Sequence, residues 1–195
     1  MPNSVYRSVD LQVYRSVSFG DFTLPASTSM PTHRLLKSGA PAAPSLRFTL
    51  TSFIGVVIAI GATGWLNAIS GTPWLMASLG ASCVLAFGLP DSPLAQPRSI
   101  IGGHFISTLI GLIILNTLGN SWWACALAVG LALVAMQQTR TVHAPAGANP
   151  IVVLTAGAPL SFLVTPVLAG SIVIVMVAWC LNNARNKGSY PKYWL

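Results

Sequence analysis

The segment HAPAGANPIVVLTAGA, residues 143–158, is apolar but too short and too interrupted for a helix that crosses a bilayer. A helix over residues 149–158 would be about 15 Å long, against about 30 Å of hydrocarbon. The residues before it include Pro145 and Gly147, which resist helix formation. Non-helical backbone at membrane depth is tolerated only where protein buries it or where it lines a wet cavity. Within a membrane protein, this stretch therefore predicts a broken segment with a special role.

The composition of the whole chain places it in a membrane. Hydrophobic residues make up 53% of the sequence and charged residues only 7%, against about 25% charged in soluble domains. The three acids, Asp10, Asp21 and Asp91, lie outside the long apolar runs, as expected because a charge at the bilayer centre costs about 3 kcal/mol or more. The net charge of +7 therefore indicates membrane topology. We expect a lipid bilayer as the partner and no nucleic acid.

Four apolar runs are long enough to cross the hydrocarbon, which needs about 20 residues. They are residues 46–69, 100–118, 122–136 with its flanks, and 160–181. Two further runs, residues 74–89 and 151–158, are short. The predicted fold is an all-α integral membrane protein with four long transmembrane helices and two short or broken segments.

The ends of the chain differ from this apolar region. Residues 1–45 are basic, rich in Ser and Pro, and contain no apolar run, a composition typical of disorder. The predicted organisation is a tail over residues 1–45, a transmembrane domain over residues 46–184, and a short basic tail over residues 185–195.

A shift of 67 residues reveals a weak internal repeat. It places Gly80-Ala81-Ser82 on Gly147-Ala148-Asn149 and aligns the long apolar runs in pairs. We interpret residues 46–118 and 119–184 as two repeats of three segments each. An odd number of segments forces the second copy to be inverted in the membrane.

The basic residues agree with six crossings. With a cytoplasmic N-terminus, the outer loops would be residues 70–73, 119–121 and 157–159, and none contains Lys or Arg. The predicted inner side carries Arg98, Arg140, Arg185, Lys187 and Lys192. This is the positive-inside pattern, and it predicts both termini on the cytoplasmic side.

The two short segments predict an anion site near the midplane. Half-helices that start there would point their N-termini, with free N–H groups and positive dipole ends, at one another. Ser82 and Asn149 are good N-cap types that can also donate to a ligand. The predicted binding residues of the two breaks are Gly80, Ala81, Ser82, Gly147, Ala148 and Asn149. We expect leucine at Gly80 or Gly147 to block transport while leaving folding largely intact.

Two histidines and two arginines join this predicted site, each with two interpretations. His143 either takes up a proton or donates to an anion from the cytoplasmic side, or it bonds loop carbonyls freed by the break. His104 either contacts the substrate or forms an interhelical hydrogen bond. Arg98 and Arg140 either draw anions toward the pathway or only mark topology.

The sequence offers no constellation for a metal or for catalysis. Cys83, Cys125 and Cys180 lie in apolar sequence without a metal-ligand spacing to another Cys or His. No acid lies in a predicted span. We expect no metal, no cofactor and no enzymatic activity.

Small residues recur every four positions in two helices, which lets helix backbones approach closely in lipid. They are Gly103, Ser107 and Gly111 in one helix, and Ala124, Ala128 and Ala132 in the other. These stripes serve either packing within one subunit or a homo-oligomer.

Two longer motifs resemble the signatures of the HPP family of integral membrane proteins. They are LPDSPLAQPRSIIGGH, residues 89–104, and HAPAGANPIVV, residues 143–153, and the resemblance covers roughly residues 46–181. It implies a small multi-helix membrane protein, and some members of the family are nitrite transporters in cyanobacteria and plastids. The resemblance thus suggests a nitrite-like anion and a bacterial inner membrane or a plastid envelope.

One position departs from the family pattern. The name-giving His-Pro-Pro is His143-Ala144-Pro145 here. The histidine, the break and the glycine are kept, so we expect the site to persist.

The predicted function is transport of a small inorganic anion. An anion channel would show the same features and differs only in the kinetics of transport. A scaffold or assembly protein would explain the small-residue stripes, but gives no reason for two broken segments at mid-membrane.

Overall fold

The computed structural model describes residues 41–194, so the predicted tail over residues 1–45 lies outside the described residues except for its last five. The described chain forms six α-helices and several short helical turns. The helices are α1 Leu46–Ser70, α2 Ala77–Gly88, α3 Pro97–Leu118, α4 Trp122–Gln138, α5 Asn149–Ala156 and α6 Ala169–Arg185. Residues 41–194 contain no β-strand, which confirms the all-helical prediction.

Within residues 41–194, three helical stretches are long and apolar enough to cross a membrane: Leu46–Ser70, Pro97–Leu118 and Leu160–Arg185. The fourth predicted long helix, α4, has 17 residues, or about 25 Å at 1.5 Å per residue, which is the lower limit for a span. The large apolar side chains exposed on these helices include Phe53, Trp65 and Met176. Such a surface suits a lipid environment.

The last long stretch is not the continuous helix predicted over residues 160–181. A 3₁₀ turn at Leu160–Leu163 and a π-turn at Val164–Leu168 precede α6. Thr165 has φ −129° and ψ 119°, which is extended backbone. Pro166 explains the break, because proline removes an N–H donor and disfavours helical backbone at the residue before it.

The short helix α2 begins at Ala77, three residues before the predicted break at Gly80. The N–H of Gly80 donates to the Met76 carbonyl oxygen at 3.1 Å, so the helix continues through this glycine. Before α2 the chain is non-helical, and Trp74 holds it in place. The Trp74 N–H donates to Asn67 Oδ1 and its indole N–H to Ser70 Oγ, both at 3.0 Å.

The second short segment matches its prediction closely. Residues Ala144–Ala148 form a 3₁₀ turn, and α5 follows to Ala156, where Gly157 ends it at φ 58°.

Neither Ser82 nor Asn149 is an N-cap, which corrects that part of the prediction. The cap positions are Met76 for α2 and Ala148 for α5, and neither makes a side-chain capping bond. The inverted arrangement of the two repeats stays a prediction.

Helix α3 lies at the centre of the bundle and contacts α4, α5 and α6, while α1 packs on α2 and α6. The small-residue stripes lie at these contacts. Ala124, Ala128 and Ala132 are fully buried within the chain. A Cβ at Gly111 would lie 2.9 Å from Pro150 Cα of α5. The structure thus uses these stripes for packing within one subunit, which removes them as the surface of a homo-oligomer.

Arg185 joins three helices at the end of the bundle where the basic residues gather, which we call the basic end. Its guanidinium donates to Thr51 Oγ1 of α1 at 2.6 Å and to the Phe87 carbonyl oxygen of α2 at 3.0 Å. Nearby, Asn182 Nδ2 donates to the Ala86 carbonyl oxygen at 3.0 Å. These bonds satisfy carbonyls at the C-terminal end of α2 that the helix itself leaves free.

The predicted basic tail over residues 185–195 is docked at this end. Tyr190 is 2% exposed, and its hydroxyl donates to the Ala95 carbonyl oxygen at 2.8 Å. Lys192 pairs with Asp91 at 2.8 Å. Burial raises the pKa of the Tyr190 phenol, so the hydroxyl remains a donor throughout the physiological range.

The contact at Gly111 predicts a loss of stability on substitution. Gly111→Ala would place a methyl group against the backbone of α5, and overpacking of this kind costs about 1–3 kcal/mol. We expect the purified Gly111→Ala variant in detergent to unfold at a lower thermal midpoint than the wild type, measured by intrinsic fluorescence.

Gly130→Ala is the matched control, because Gly130 is exposed in α4 and a Cβ there meets nothing within 4 Å. Both variants gain the same helix propensity, about 0.5–1 kcal/mol. Equal midpoints for the two variants would contradict the close approach of α3 and α5.

Candidate functional site

Ser82 lies between two histidines in the interior of the bundle. Its Oγ is 2.8 Å from His104 Nε2 and 2.7 Å from His143 Nε2. Ser82 belongs to α2, His104 to α3, and His143 to the loop before the 3₁₀ turn Ala144–Ala148. All three side chains are fully buried. The hydroxyl therefore joins three elements at one point.

Two glycines explain why the loop with His143 can approach α3 so closely. A Cβ at Gly102 would lie 2.8 Å from Thr141 Cγ2, and one at Gly103 would lie 2.7 Å from His143 Cβ. Real Cβ atoms essentially never come so close, so larger residues at either position would push the loop away. Gly102 and Gly103 thus leave space for the loop that carries His143. The next residue, His104, is the second histidine of the site.

The loop between α2 and α3 fixes the tautomer of His143. Its Nδ1 lies 2.7 Å from the carbonyl oxygen of Leu94, in the 3₁₀ turn Pro93–Ala95. A carbonyl only accepts hydrogen bonds, so Nδ1 carries the hydrogen. In the neutral ring Nε2 is then an acceptor, and the Ser82 hydroxyl donates to it.

Asn149, the first residue of α5, fixes the opposite tautomer of His104. The amide nitrogen of Asn149 donates to His104 Nδ1 at 2.8 Å and to Thr108 Oγ1 at 2.9 Å. Since Nδ1 accepts, the hydrogen of a neutral His104 lies on Nε2 and is donated to Ser82 Oγ. The two imidazole rings meet edge to face with centroids 5.0 Å apart.

These bonds form one directional chain. Asn149 donates to His104, His104 to Ser82, Ser82 to His143, and His143 to the Leu94 carbonyl oxygen. We call Ser82, His104, His143 and Asn149 the polar cluster. All four residues are 0% exposed. This chain of hydrogen bonds forms with both histidines neutral.

Two buried side-chain oxygens, one beside the polar cluster and one within it, have no hydrogen-bond partner among the described residues. One is Oγ of Ser78, one turn before Ser82 in α2, and the other is Oδ1 of Asn149. Leaving such a group unpaired costs about 1–3 kcal/mol. Both residues lie in the first turn of a short helix. The first turn of each short helix therefore carries a polar atom without a hydrogen-bond partner among the described residues.

The structure brings four of the predicted binding residues together and leaves four apart. Ser82, His104, His143 and Asn149 form the polar cluster. The remaining four lie at the periphery: Ala81 is exposed, and Gly80, Gly147 and Ala148 are half-buried. A Cβ at Gly80 or Gly147 meets nothing within 4 Å. The expectation that leucine at these glycines blocks transport stays a prediction.

The two arginines lie at the basic end, away from the polar cluster. Arg98 Nη2 donates to the Thr139 carbonyl oxygen at 2.9 Å, and its Nε to the Arg140 carbonyl oxygen at 3.3 Å. Arg98 thus stabilises the C-terminal end of α4, where cations are favoured. Arg140 is exposed with a positive φ of 56°.

The sequence analysis missed Ser78 and Thr108, and gave Ser107 only a packing role. Ser107 Oγ donates to the Ala146 carbonyl oxygen at 2.6 Å and thereby ties the 3₁₀ turn to α3. A signal was present in the spacing. Ser78 and Ser82, like His104 and Thr108, are four residues apart and share one face of an apolar helix.

The comparisons with known proteins agree with the fold. The family described as "HPP, transmembrane region" matches residues 41–191. A transmembrane protein of Dictyostelium discoideum is 40% identical over 128 residues, which cover 62% of this chain and 45% of that protein. A second from the same organism is 36% identical over 153 residues, covering 74% of this chain and 49% of that protein. The chain spans about half the length of both relatives.

No solved structure matches this chain. The family match covers most of the sequence, includes both motifs around the polar cluster, and joins a chain of apolar helices to relatives that are transmembrane proteins. The chain is an integral membrane protein and belongs to the HPP transmembrane family.

Proposed function

We propose that this protein transports a small inorganic anion, with nitrite as the substrate, through a site at the polar cluster. The observation that carries the proposal is the fully buried chain of Ser82, His104, His143 and Asn149, which joins the middle of the short helix α2 to the start of the short helix α5. Polar groups at this depth in lipid are costly, and in membrane proteins they mark substrate pathways. The family resemblance favours nitrite, because some members transport it.

The depth of the polar cluster suits a transport site. His104 is the eighth and Thr108 the twelfth of the 22 residues of α3. At 1.5 Å per residue they lie about 10 Å and about 16 Å from its start. His104 of the cluster and the neighbouring Thr108 therefore lie between the basic end and the middle of the span, near the depth where transporters bind substrate.

The chemistry favours an anion over a cation. The only acid among residues 41–194 is Asp91, which lies outside the helices and pairs with Lys192. The unpaired hydroxyl of Ser78 is a free donor. The N-terminal ends of α2 and α5 carry positive dipole potential, which also favours an anion.

A hydrolytic enzyme is the competing function, because a serine hydroxyl bonded to a histidine is a common nucleophile. Here Ser82 Oγ also accepts from His104, and the group behind His143 is a carbonyl rather than a carboxylate. Ser82 is 0% exposed, so no substrate reaches it without a rearrangement. We therefore propose transport rather than catalysis.

The orientation follows from charge. The basic end carries Arg47, Arg98, Arg140 and Arg185 at the ends of α1, α3, α4 and α6. By the positive-inside rule this end faces the cytoplasm, with both termini on that side. The membrane proposed is a bacterial inner membrane or a plastid envelope.

Transport is tested with the purified full chain in liposomes, by comparing uptake of nitrite, nitrate, formate and chloride. We expect nitrite uptake above that of protein-free liposomes. Asn149→Leu should lower the initial rate at least about tenfold, since one lost hydrogen bond of about 1.4 kcal/mol already corresponds to a factor of ten. Asn116→Leu is the matched control, because among the described residues the Asn116 amide bonds only within its own helix, to the Leu112 carbonyl oxygen. A monodisperse protein that takes up none of the four anions would refute the proposal.

A carrier and a channel are separated by kinetics. The polar cluster is fully enclosed, so passage requires a conformational change, and we expect a carrier. Nitrite uptake should saturate with concentration, and internal unlabelled nitrite should accelerate uptake of labelled nitrite. Uptake that stays linear to high concentration, without this counterflow, would identify a channel.

A further inference from the structure

We propose that the polar cluster also binds one proton, so that the anion crosses together with H⁺ in an electroneutral symport. This inference rests on the proposed function and names its coupling ion. It is argued from the hydrogen-bond geometry around the Ser82 hydroxyl, which has two acceptors within reach.

In the neutral state the single hydroxyl hydrogen of Ser82 points at His143 Nε2, 2.7 Å away. The second acceptor is the Ser78 carbonyl oxygen, one helical turn away at 2.8 Å. The two acceptors compete for one hydrogen. The hydroxyl can therefore change partner by rotating about its own C–O bond, without moving a helix.

Adding one proton uses this second acceptor. The proton forms an N–H bond at His143 Nε2, and the Ser82 hydroxyl hydrogen turns to the Ser78 carbonyl oxygen. Ser82 Oγ then accepts from Nε2–H of both histidines, one on each lone pair. Loss of the proton reverses these changes. No buried polar atom of the cluster loses its partner in either state, and this makes the cluster suitable for binding and releasing H⁺.

The capacity is one proton. His104 Nδ1 already accepts from the amide nitrogen of Asn149 at 2.8 Å. A second proton would break that bond and place two cations with ring centroids 5.0 Å apart, without a carboxylate beside them. Like charges so close in a buried site repel strongly.

The other ionisable groups on the elements around His143 lie outside the cluster's hydrogen bonds. They are Arg98 on α3, Cys83 on α2, Cys125 on α4, Arg140 after α4, Asp91 on the loop with Leu94, and Tyr190, Lys192 and Tyr193 on the docked C-terminal segment. Asp91 is paired with Lys192 at 2.8 Å. The protonated cluster therefore has no carboxylate counterion within the described residues.

The missing counterion couples the proton to the anion. A buried cation without a partner is strongly unfavourable, and so is a buried anion in a site without a full positive charge. Bound together they neutralise each other, so each raises the affinity for the other by the same factor. The complex that crosses the membrane is neutral.

The test uses liposomes that hold the full chain, with the pH gradient and the membrane potential imposed separately. With the interior one pH unit more alkaline, we expect nitrite to accumulate about tenfold, as one proton per anion requires. A potential set by K⁺ and valinomycin at equal pH should change accumulation by less than about twofold. A pH indicator should record one proton per nitrite. Protein-free liposomes correct for leakage of the free acid.

Two variants test the assignment to the cluster. His143→Gln keeps a donor and an acceptor but cannot bind H⁺, and Ser82→Ala removes the rotating hydroxyl. Both should lose the tenfold accumulation, while Ser82→Thr should retain it. Accumulation by both His143→Gln and Ser82→Ala would overturn the assignment. Wild-type uptake that follows the potential and ignores the pH gradient would overturn the symport but leave anion transport standing. No wild-type uptake under any gradient would refute the proposed function itself.

Discussion

Hydrocarbon offers no hydrogen-bond partner, so every irregular stretch of backbone in this protein must be satisfied by the protein itself. The chain departs from regular α-helix before α2, before α5 and before α6. At the first departure Asn67 and Ser70 bond Trp74, and at the second Ser107 bonds the Ala146 carbonyl oxygen. The polar cluster includes a further bond of this kind, because His143, in the loop before α5, donates to the Leu94 carbonyl oxygen of the loop between α2 and α3.

Close approach is the second condition for the polar cluster. The loop with His143 contacts α3 only because Gly102 and Gly103 carry no side chain, and α5 contacts α3 at Gly111 for the same reason. Ala144, where the family pattern has proline, is exposed and contributes no side-chain bond to the cluster. The departure from His-Pro-Pro therefore changes the surface of the loop and leaves the bonds of His143 in place.

Hydropathy predicted two of the four long helices, α1 and α3, well, because lipid imposes length and apolarity together. The run over residues 46–69 corresponds to α1, Leu46–Ser70. The positions of the helix breaks were harder to predict, since they depend on tertiary contacts. Gly80 sits inside α2, whereas the actual start follows Trp74, which neighbouring side chains hold. The kink at Thr165 had a local signal in Pro166. Docking of Tyr190 against Ala95 joins residues 95 positions apart, which no local pattern reveals. Ser82 and Asn149 were predicted as helix caps and ligand donors, and each histidine either as a contact of the ligand or as a partner of an interhelical or loop-carbonyl hydrogen bond. The observed bonds join these side chains to one another, to the Leu94 carbonyl oxygen and to Thr108.

The bonds of Arg185 have a consequence for how the bundle is divided. They tie α1, α2 and α6 into one group, while α3, α4 and α5 pack on one another as a second. Ser82 belongs to the first group, and His104, His143 and Asn149 to the second or to the loop that leads into it. The Ser82 hydroxyl therefore links the two groups of helices by hydrogen bonds. When the cluster holds the proposed proton, the Ser82 hydroxyl hydrogen turns to Ser78 within the first group, and both bonds between the groups then run from a histidine N–H to Ser82 Oγ. One of these donors is charged, so the proton would strengthen the contact between the two groups.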